Sequence, residues 1–427
     1  PKVETFKYPK AGEKNAVVSL HIYDVASQTK KDVNLGNYND FYIARMQWTN
    51  DANVLSAQVL NRHQDNLDLL FIDGTTAAAK VVLNEKDKAY IDVTDNLTFL
   101  KDNSFIWTSE KDGFNHIYLY DKTGKLINQV TKGNWEITEY YGFNPNSKEV
   151  FLQTTEKGSI NKVVSKFNIV TGKSQLLSQA EGNNSAAFSN NYNYFIETSS
   201  SAKKPYAYTL KDGNGKALKE LQNNDALLNK LNADNFVVKE FINIPNEAGD
   251  LMNAYIMKPK NFDPNKKYPL FMFQYSGPGS QQVSNSWDGG NGLWFNHLVQ
   301  KGYVVACVDG RGTGYKGTKY KKVTYKNLGK YEIEDQIAAA KWLGNQSYID
   351  KSRIGIFGWS FGGYMTSLAM TKGADIFKAG IAVAPVTNWR YYDSIYTERF
   401  LQTPQENPDG YDQNSPTTFA KLLKGKF

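Results

Sequence analysis

Arg353-Ile354-Gly355-Ile356-Phe357-Gly358-Trp359-Ser360-Phe361-Gly362-Gly363-Tyr364 decides how the chain is read. The β-branched and apolar run 354–357 predicts a buried strand. It leads straight into Gly358-Trp359-Ser360-Phe361-Gly362, the G-x-S-x-G spacing of a nucleophile elbow. Such a turn is too sharp for bulky side chains two positions either side of the serine, and Gly358 and Gly362 answer that need. Gly363 lets the next helix approach closely. That helix is expected over 361–371, with Tyr364, Leu368 and Ala369 on one face. The elbow would lift the Ser360 hydroxyl clear of the sheet. The helix N-terminus would then face it and favour developing negative charge.

Outward from the elbow, strands and helices alternate. Near-continuous apolar runs at 269–275, 303–309, 353–359 and 379–384 suit central parallel strands. Helical patterns at 293–300, 331–343 and 361–371 lie between them. An antiparallel pair, 236–244 and 253–258, opens this half. The alternation predicts a doubly wound sheet with right-handed crossovers. Ser360 then sits at the C-terminal end of a central strand, where such sheets bind ligands.

The first half repeats instead. Strand ends recur at Asp24, Asp73, Asp121, Thr171 and Lys211, in steps of 49, 48, 50 and 40 residues. Several are followed by a Gly-Lys turn and a second strand, as at Gly124-Lys125, Gly172-Lys173 and Gly215-Lys216. A period of this length with several short strands is the signature of β-propeller blades. Four or five blades fit before residue 235. The segment 223–234 reads as a short helix or linker.

Composition bounds the rest. The 427 residues suggest two domains, and 27 Tyr with 23 Phe suit a strand-rich protein. Net charge is +7, but the lysines are scattered, which argues against a nucleic-acid partner. No run is long enough for a membrane span. Cys307, the one cysteine, lies in an apolar run and reads as a buried structural thiol. Nothing in the pattern calls for a metal or a cofactor. Asp309-Gly310-Arg311-Gly312-Thr313-Gly314-Tyr315 imitates a nucleotide-binding loop but breaks its spacing at Tyr315. A structural loop is expected there, with Arg311 anchoring a neighbouring carbonyl or carboxylate. Glu332, Glu334 and Asp335 read as a charge cluster at a helix start.

The elbow, the Asp309–Tyr315 loop and Ala384-Pro385-Val386-Thr387-Asn388-Trp389-Arg390-Tyr391-Tyr392-Asp393-Ser394-Ile395-Tyr396-Thr397-Glu398-Arg399 together resemble the prolyl oligopeptidase family, nearest its dipeptidyl peptidase IV branch. The resemblance implies a partial β-propeller over 1–235, then an α/β-hydrolase domain over 236–427, incomplete at its C-terminus. It implies a serine exopeptidase that releases N-terminal X-Pro or X-Ala dipeptides from peptides through an acyl-enzyme on Ser360. The Phe361 N–H and the Tyr275 phenol would bind the oxyanion. Val386, Trp389, Tyr392 and Tyr396 would form the proline pocket, the last three at helical spacing. It further implies a homodimer when full length, and a periplasmic or secreted location, with the cytoplasm as alternative. Neighbouring readings are a prolyl tripeptidyl aminopeptidase, an acylaminoacyl peptidase, or a non-catalytic peptide-binding propeller.

The departures are as informative. A serine needs a general base, and α/β-hydrolases order it serine, acid, histidine. His21, His63, His116 and His297 all precede Ser360. No residue matches the family's catalytic acid motif or the paired glutamates that grip a substrate's N-terminus. The sequence therefore reads as the middle of a longer protein, its sheet edge unpaired after residue 385 and catalytically silent alone.

Overall fold

The computed structural model describes residues 3–36 and 38–427. Its first half is a series of antiparallel sheets, each built from consecutive strands. A two-stranded sheet, His21–Asp24 with Thr29–Asp32, comes first. Four four-stranded sheets follow, running from Phe41 to Lys86, Thr98 to Gln129, Ile137 to Leu176 and Asn183 to Gln222. The sheets pack face on face. Leu60, Leu67 and Leu69 of the first four-stranded sheet meet Phe105, Trp107 and Tyr118 of the second. Ile106 and Ile117 meet Val150 and Leu152 of the third, whose Phe151 and Val164 meet Phe195 of the fourth. The middle strands are buried on both faces, which is why Phe105–Ser109 and His116–Tyr120 lack the alternation of a half-exposed strand.

The repeat has a physical cause. An Asx side chain closes the hairpin between the third and fourth strand of each sheet. Asp73 accepts from the N–H groups of Thr75 and Thr76, Asp121 from Thr123 and Lys125, and Asp212 from Asn214 and Lys216. In the third sheet Asn168 has this role, taking the N–H groups of Val170 and Thr171. Thr171 and Lys211 are thus the wrong markers. Asp24, Asp73, Asp121, Asn168 and Asp212 are spaced more evenly, by 49, 48, 47 and 44 residues. A helix, Asp225–Ala233, ends this half.

The second half is one six-stranded sheet: β1 Glu240–Pro245, β2 Leu251–Met257, β3 Tyr268–Phe273, β4 Val304–Asp309, β5 Ile349–Trp359 and β6 Ala379–Val383. The order is β1-β2-β4-β3-β5-β6, with β1 and β2 antiparallel and β4, β3, β5 and β6 parallel. Helices α1 Gly289–Gln300, α2 Lys330–Gly344 and α3 Phe361–Lys372 make the crossovers. Cys307 is fully buried in β4, and burial pushes its thiol well up, so it is inert. Helix α3 buries more than the face of Tyr364, Leu368 and Ala369: every residue from Phe361 to Thr371 is buried. The sheet, α2 and the 3₁₀ segment Pro416–Leu422 pack around it. The edge of β6 is not wholly bare either. The Gly380 N–H donates to the Lys426 carbonyl at 2.8 Å, a parallel bridge between Ala379 and Lys426.

Arg311 anchors a carboxylate. Its backbone N–H, Nε and Nη2 all donate to Asp335 on α2, at 2.7, 3.0 and 2.7 Å. Glu332 accepts the Gly329 N–H at the α2 start. The same loop touches the N-terminal sheets through Tyr315, whose ring centroid lies 3.2 Å from Lys162 Nζ. Lys162 is buried, and its Nζ has no hydrogen-bond partner among the described residues. Burial pulls its pKa down to about 7, against opposing pulls from Glu136 and Asp309. The unfolded chain would hold this proton up to the ordinary lysine value of 10.5. Between those values the unfolded state binds more protons, so stability rises with pH. Lys162→Met should flatten this rise, read as the change in urea midpoint between pH 7 and pH 9.5 for variant and parent. An unchanged slope would contradict it.

Candidate active site

The elbow forms where the sequence places it. β5 ends at Trp359, α3 begins at Phe361, and Ser360 between them is exposed. Its backbone, at φ 56° and ψ −113°, is in a region that non-glycine residues rarely occupy. Hydrogen bonds hold it there. The Ser360 N–H donates to the Val383 carbonyl at 2.9 Å, and its carbonyl accepts from the Tyr364 N–H at 2.9 Å. A Cβ on Gly358 would lie 2.3 Å from the Gly362 carbonyl oxygen. On Gly362 it would lie 2.6 Å from the Gln274 oxygen, and on Gly363 2.6 Å from the Val383 oxygen. The glycines are thus a condition of strand–helix contact. Gln274 ties both sides together, its Nε2 donating to the Gly362 carbonyl at 2.7 Å.

Tyr275 lies two residues past the end of β3, in the turn and not in the strand. Its backbone lies against the elbow, 3.3 Å from where a Cβ on Gly362 would stand, and its side chain neighbours Ser360. Burial raises the phenol's pKa, the neighbouring Tyr392 adds to this, and the nearby Ser360 side chain opposes it. Tyr275 therefore remains a neutral donor through the physiological range. Phe361, the first residue of α3, has an N–H with no acceptor inside its own helix. The Tyr275 and Phe361 rings lie 6.0 Å apart. Phenol, first-turn amide and serine thus share one mouth at the sheet's C-terminal edge.

The aromatic residues gather beside them, but not on one helix. Trp389–Tyr391 is a 3₁₀ turn, Tyr392 is extended, and α4, Ser394–Leu401, starts after an Asp393 cap. The spacing of three and four is therefore coincidental. Tertiary packing makes the cluster, with Trp389 5.7 Å from both Tyr392 and Tyr396, and those two 5.2 Å apart. Trp389 is 1% exposed and backs the wall, while Tyr392, 40% exposed, and the half-buried Val386 and Tyr396 can meet a ligand. Phe361 joins this wall to the elbow, 5.7 Å from Trp389.

The histidines are engaged elsewhere. His21 pairs with Asp32, His63 with Glu406, and buried His116 with Thr131 and the Gly133 carbonyl. His297 lies exposed on α1. Among the described residues none bonds Ser360, and no group of His, Cys, Asp and Glu could hold a metal ion. Sequence reasoning missed Arg62 and Gln64, which reach α4 from the first four-stranded sheet. No local pattern joins residues more than 330 positions apart.

A strained serine between a parallel strand and a buried helix is the geometry of a nucleophile elbow on an α/β sheet. A family model described as dipeptidyl peptidase IV N-terminal region matches residues 1–206, and one described as prolyl oligopeptidase family matches 293–426. The two matches, in this order, relate the chain to the prolyl oligopeptidase family and its dipeptidyl peptidase IV members. It is 33% identical to dipeptidyl peptidase 4 of Trichophyton tonsurans and to that of Trichophyton equinum, over all of this chain and 57% of each relative. The crystal structure of Porphyromonas gingivalis dipeptidyl peptidase 4 superposes with a TM-score of 0.94 at 44% identity, over 99% of this chain and 60% of that one. This chain thus spans well under two thirds of those relatives.

The elbow geometry makes a direct prediction. Gly363→Ala should cost about 1–3 kcal/mol of stability, because the Val383 carbonyl must move. Gly355→Ala meets nothing nearer than 3.4 Å and should be tolerated far better. Thermal melts of the two variants check this; equal losses would contradict it.

Proposed function

We propose that the protein containing this chain is a serine exopeptidase that removes X-Pro or X-Ala dipeptides from peptide N-termini. The observation that carries the reading is the strained, exposed Ser360 at the elbow, with Tyr275 against Phe361 beside it and the Trp389, Tyr392 and Tyr396 wall adjoining. Ser360 Oγ attacks the carbonyl carbon of the substrate's second residue, the proline or alanine. A general base takes the hydroxyl proton as the C–O bond forms, and the oxyanion accepts from the Tyr275 phenol and the Phe361 N–H. Collapse breaks the C–N bond, the proton passes to the leaving amine, and the dipeptidyl group stays on Ser360 as an ester. Water then releases it by the reverse proton path. Val386, Tyr392 and Tyr396, backed by Trp389, offer a flat apolar slot that suits a pyrrolidine ring.

The reading places the general base, its acid partner and the groups that grip the substrate's amine in sequence outside these 427 residues. It takes the stacked sheets as blades of a partial propeller, 1–235, against an incomplete hydrolase domain, 236–427. The propeller reading is supported by the face-on-face packing of successive sheets. On the resemblance alone, the whole protein is read as a periplasmic or secreted homodimer.

The test is hydrolysis of a Gly-Pro chromogenic amide by the full-length protein. Ser360→Ala should lose several orders of magnitude in kcat. Tyr275→Phe should lose about 10²–10³ in kcat with KM little changed, since the oxyanion exists only in the transition state. Equal rates for Ser360→Ala and parent would reject the assignment. A Tyr275→Phe effect confined to KM would make Tyr275 a binding residue.

A further inference from the structure

One hairpin of the first four-stranded sheet reaches across the molecule to α4. Its tip, Arg62-His63-Gln64, lies between the strands Val54–Asn61 and Asn66–Asp73. Glu398 on α4 is fully buried, and both of its oxygens are used. Oε2 accepts from Arg62 Nε at 2.7 Å; Oε1 accepts from Arg62 Nη2 and from the Gly12 N–H, each at 2.7 Å. Arg62 spends its other donors on Asp40 and the Glu13 carbonyl, each at 2.6 Å. Gln64, also fully buried, donates to the Ile395 carbonyl at 2.6 Å and accepts from Arg399 Nε at 2.8 Å. A strap from the N-terminal segment completes the hold. The Ala11 N–H donates to the Tyr392 carbonyl, and the Ser394 N–H to the Pro9 carbonyl, each at 3.0 Å.

The held residues bracket the aromatic wall. Tyr392 lies directly under the strap, and Tyr396 sits on α4 two residues before Glu398. A buried ion pair is a poor choice if stability is all that matters, because apolar residues of the same volume serve as well or better. A two-pronged guanidinium–carboxylate pair instead fixes distance and angle. We infer that Arg62 and Glu398 are positioning residues. The N-terminal sheets, acting through this pair, set where the Tyr392–Tyr396 wall stands, and so how well the slot prefers proline to alanine. The inference rests on the exopeptidase reading above.

The experiment compares Gly-Pro and Gly-Ala amides as substrates of the full-length protein and its Arg62→Met and Glu398→Gln variants. Glu398→Gln keeps the shape and an acceptor for Gly12, so it carries the test if Arg62→Met does not fold. The Pro:Ala ratio of kcat/KM should fall about tenfold, chiefly through KM for the proline substrate. The double variant should lose no more than either single one, because both act on one pair. The rate at which a fluorophosphonate labels Ser360 should not change. An unchanged Pro:Ala ratio would overturn the inference, as would labelling that falls in step with the ratio, since that is general damage. Absence of Ser360-dependent turnover in the parent protein would instead overturn the exopeptidase reading itself.

Discussion

Everything at the site depends on how closely α3 can approach β5 and the turn after β3. Gly358, Gly362 and Gly363 each have a carbonyl oxygen within 2.6 Å of where a Cβ would stand. Remove that closeness and the bonds holding Ser360 at φ 56° are lost with it. The strain is local and its support is broad. α3 is buried along its length, so the energy that keeps Ser360 in an unfavourable conformation comes from the packing of a whole helix. An exposed hydroxyl on a rigid mount is the result.

Around that mount the two halves meet through charge. Lys321 and Lys322, on the short helix Thr318–Lys322, reach Asp92, Asp87 and Glu110 of the N-terminal sheets. Gly317 donates to Glu136 from the same turn. That helix in turn braces the Tyr275 loop, since the Gly312 N–H donates to the Tyr320 carbonyl and the Gly279 N–H to the Gly312 carbonyl. On the other side, Arg62 and Gln64 brace α4. The N-terminal sheets therefore touch both walls of the mouth without supplying Ser360 or Tyr275.

What could be read in advance follows from the range of the forces involved. The elbow is local chemistry, with three glycines and a serine in six residues, and the end of β5 and the start of α3 stood where the pattern put them, while β3 stopped at Phe273 and left Tyr275 in the turn. The sheet repeat was legible in period but misread in phase, because Asn168 does the work that Asp does in the other hairpins. The aromatic wall was recognised from its motif. Its geometry was not, since a 3₁₀ turn and an α-helix with a break between them mimic one helix in spacing. The Arg62–Glu398 pair was invisible, because nothing near Arg62 announces a partner 336 residues away.

The central claim is that the fold presents Ser360 as a nucleophile, and covalent labelling tests it most directly. The full-length protein, treated with a fluorophosphonate and digested, should carry one adduct, on the peptide that contains Ser360. The adduct should vanish in Ser360→Ala and form more slowly in Tyr275→Phe. An unlabelled Ser360 in a folded protein, or an adduct on another serine, would contradict the account.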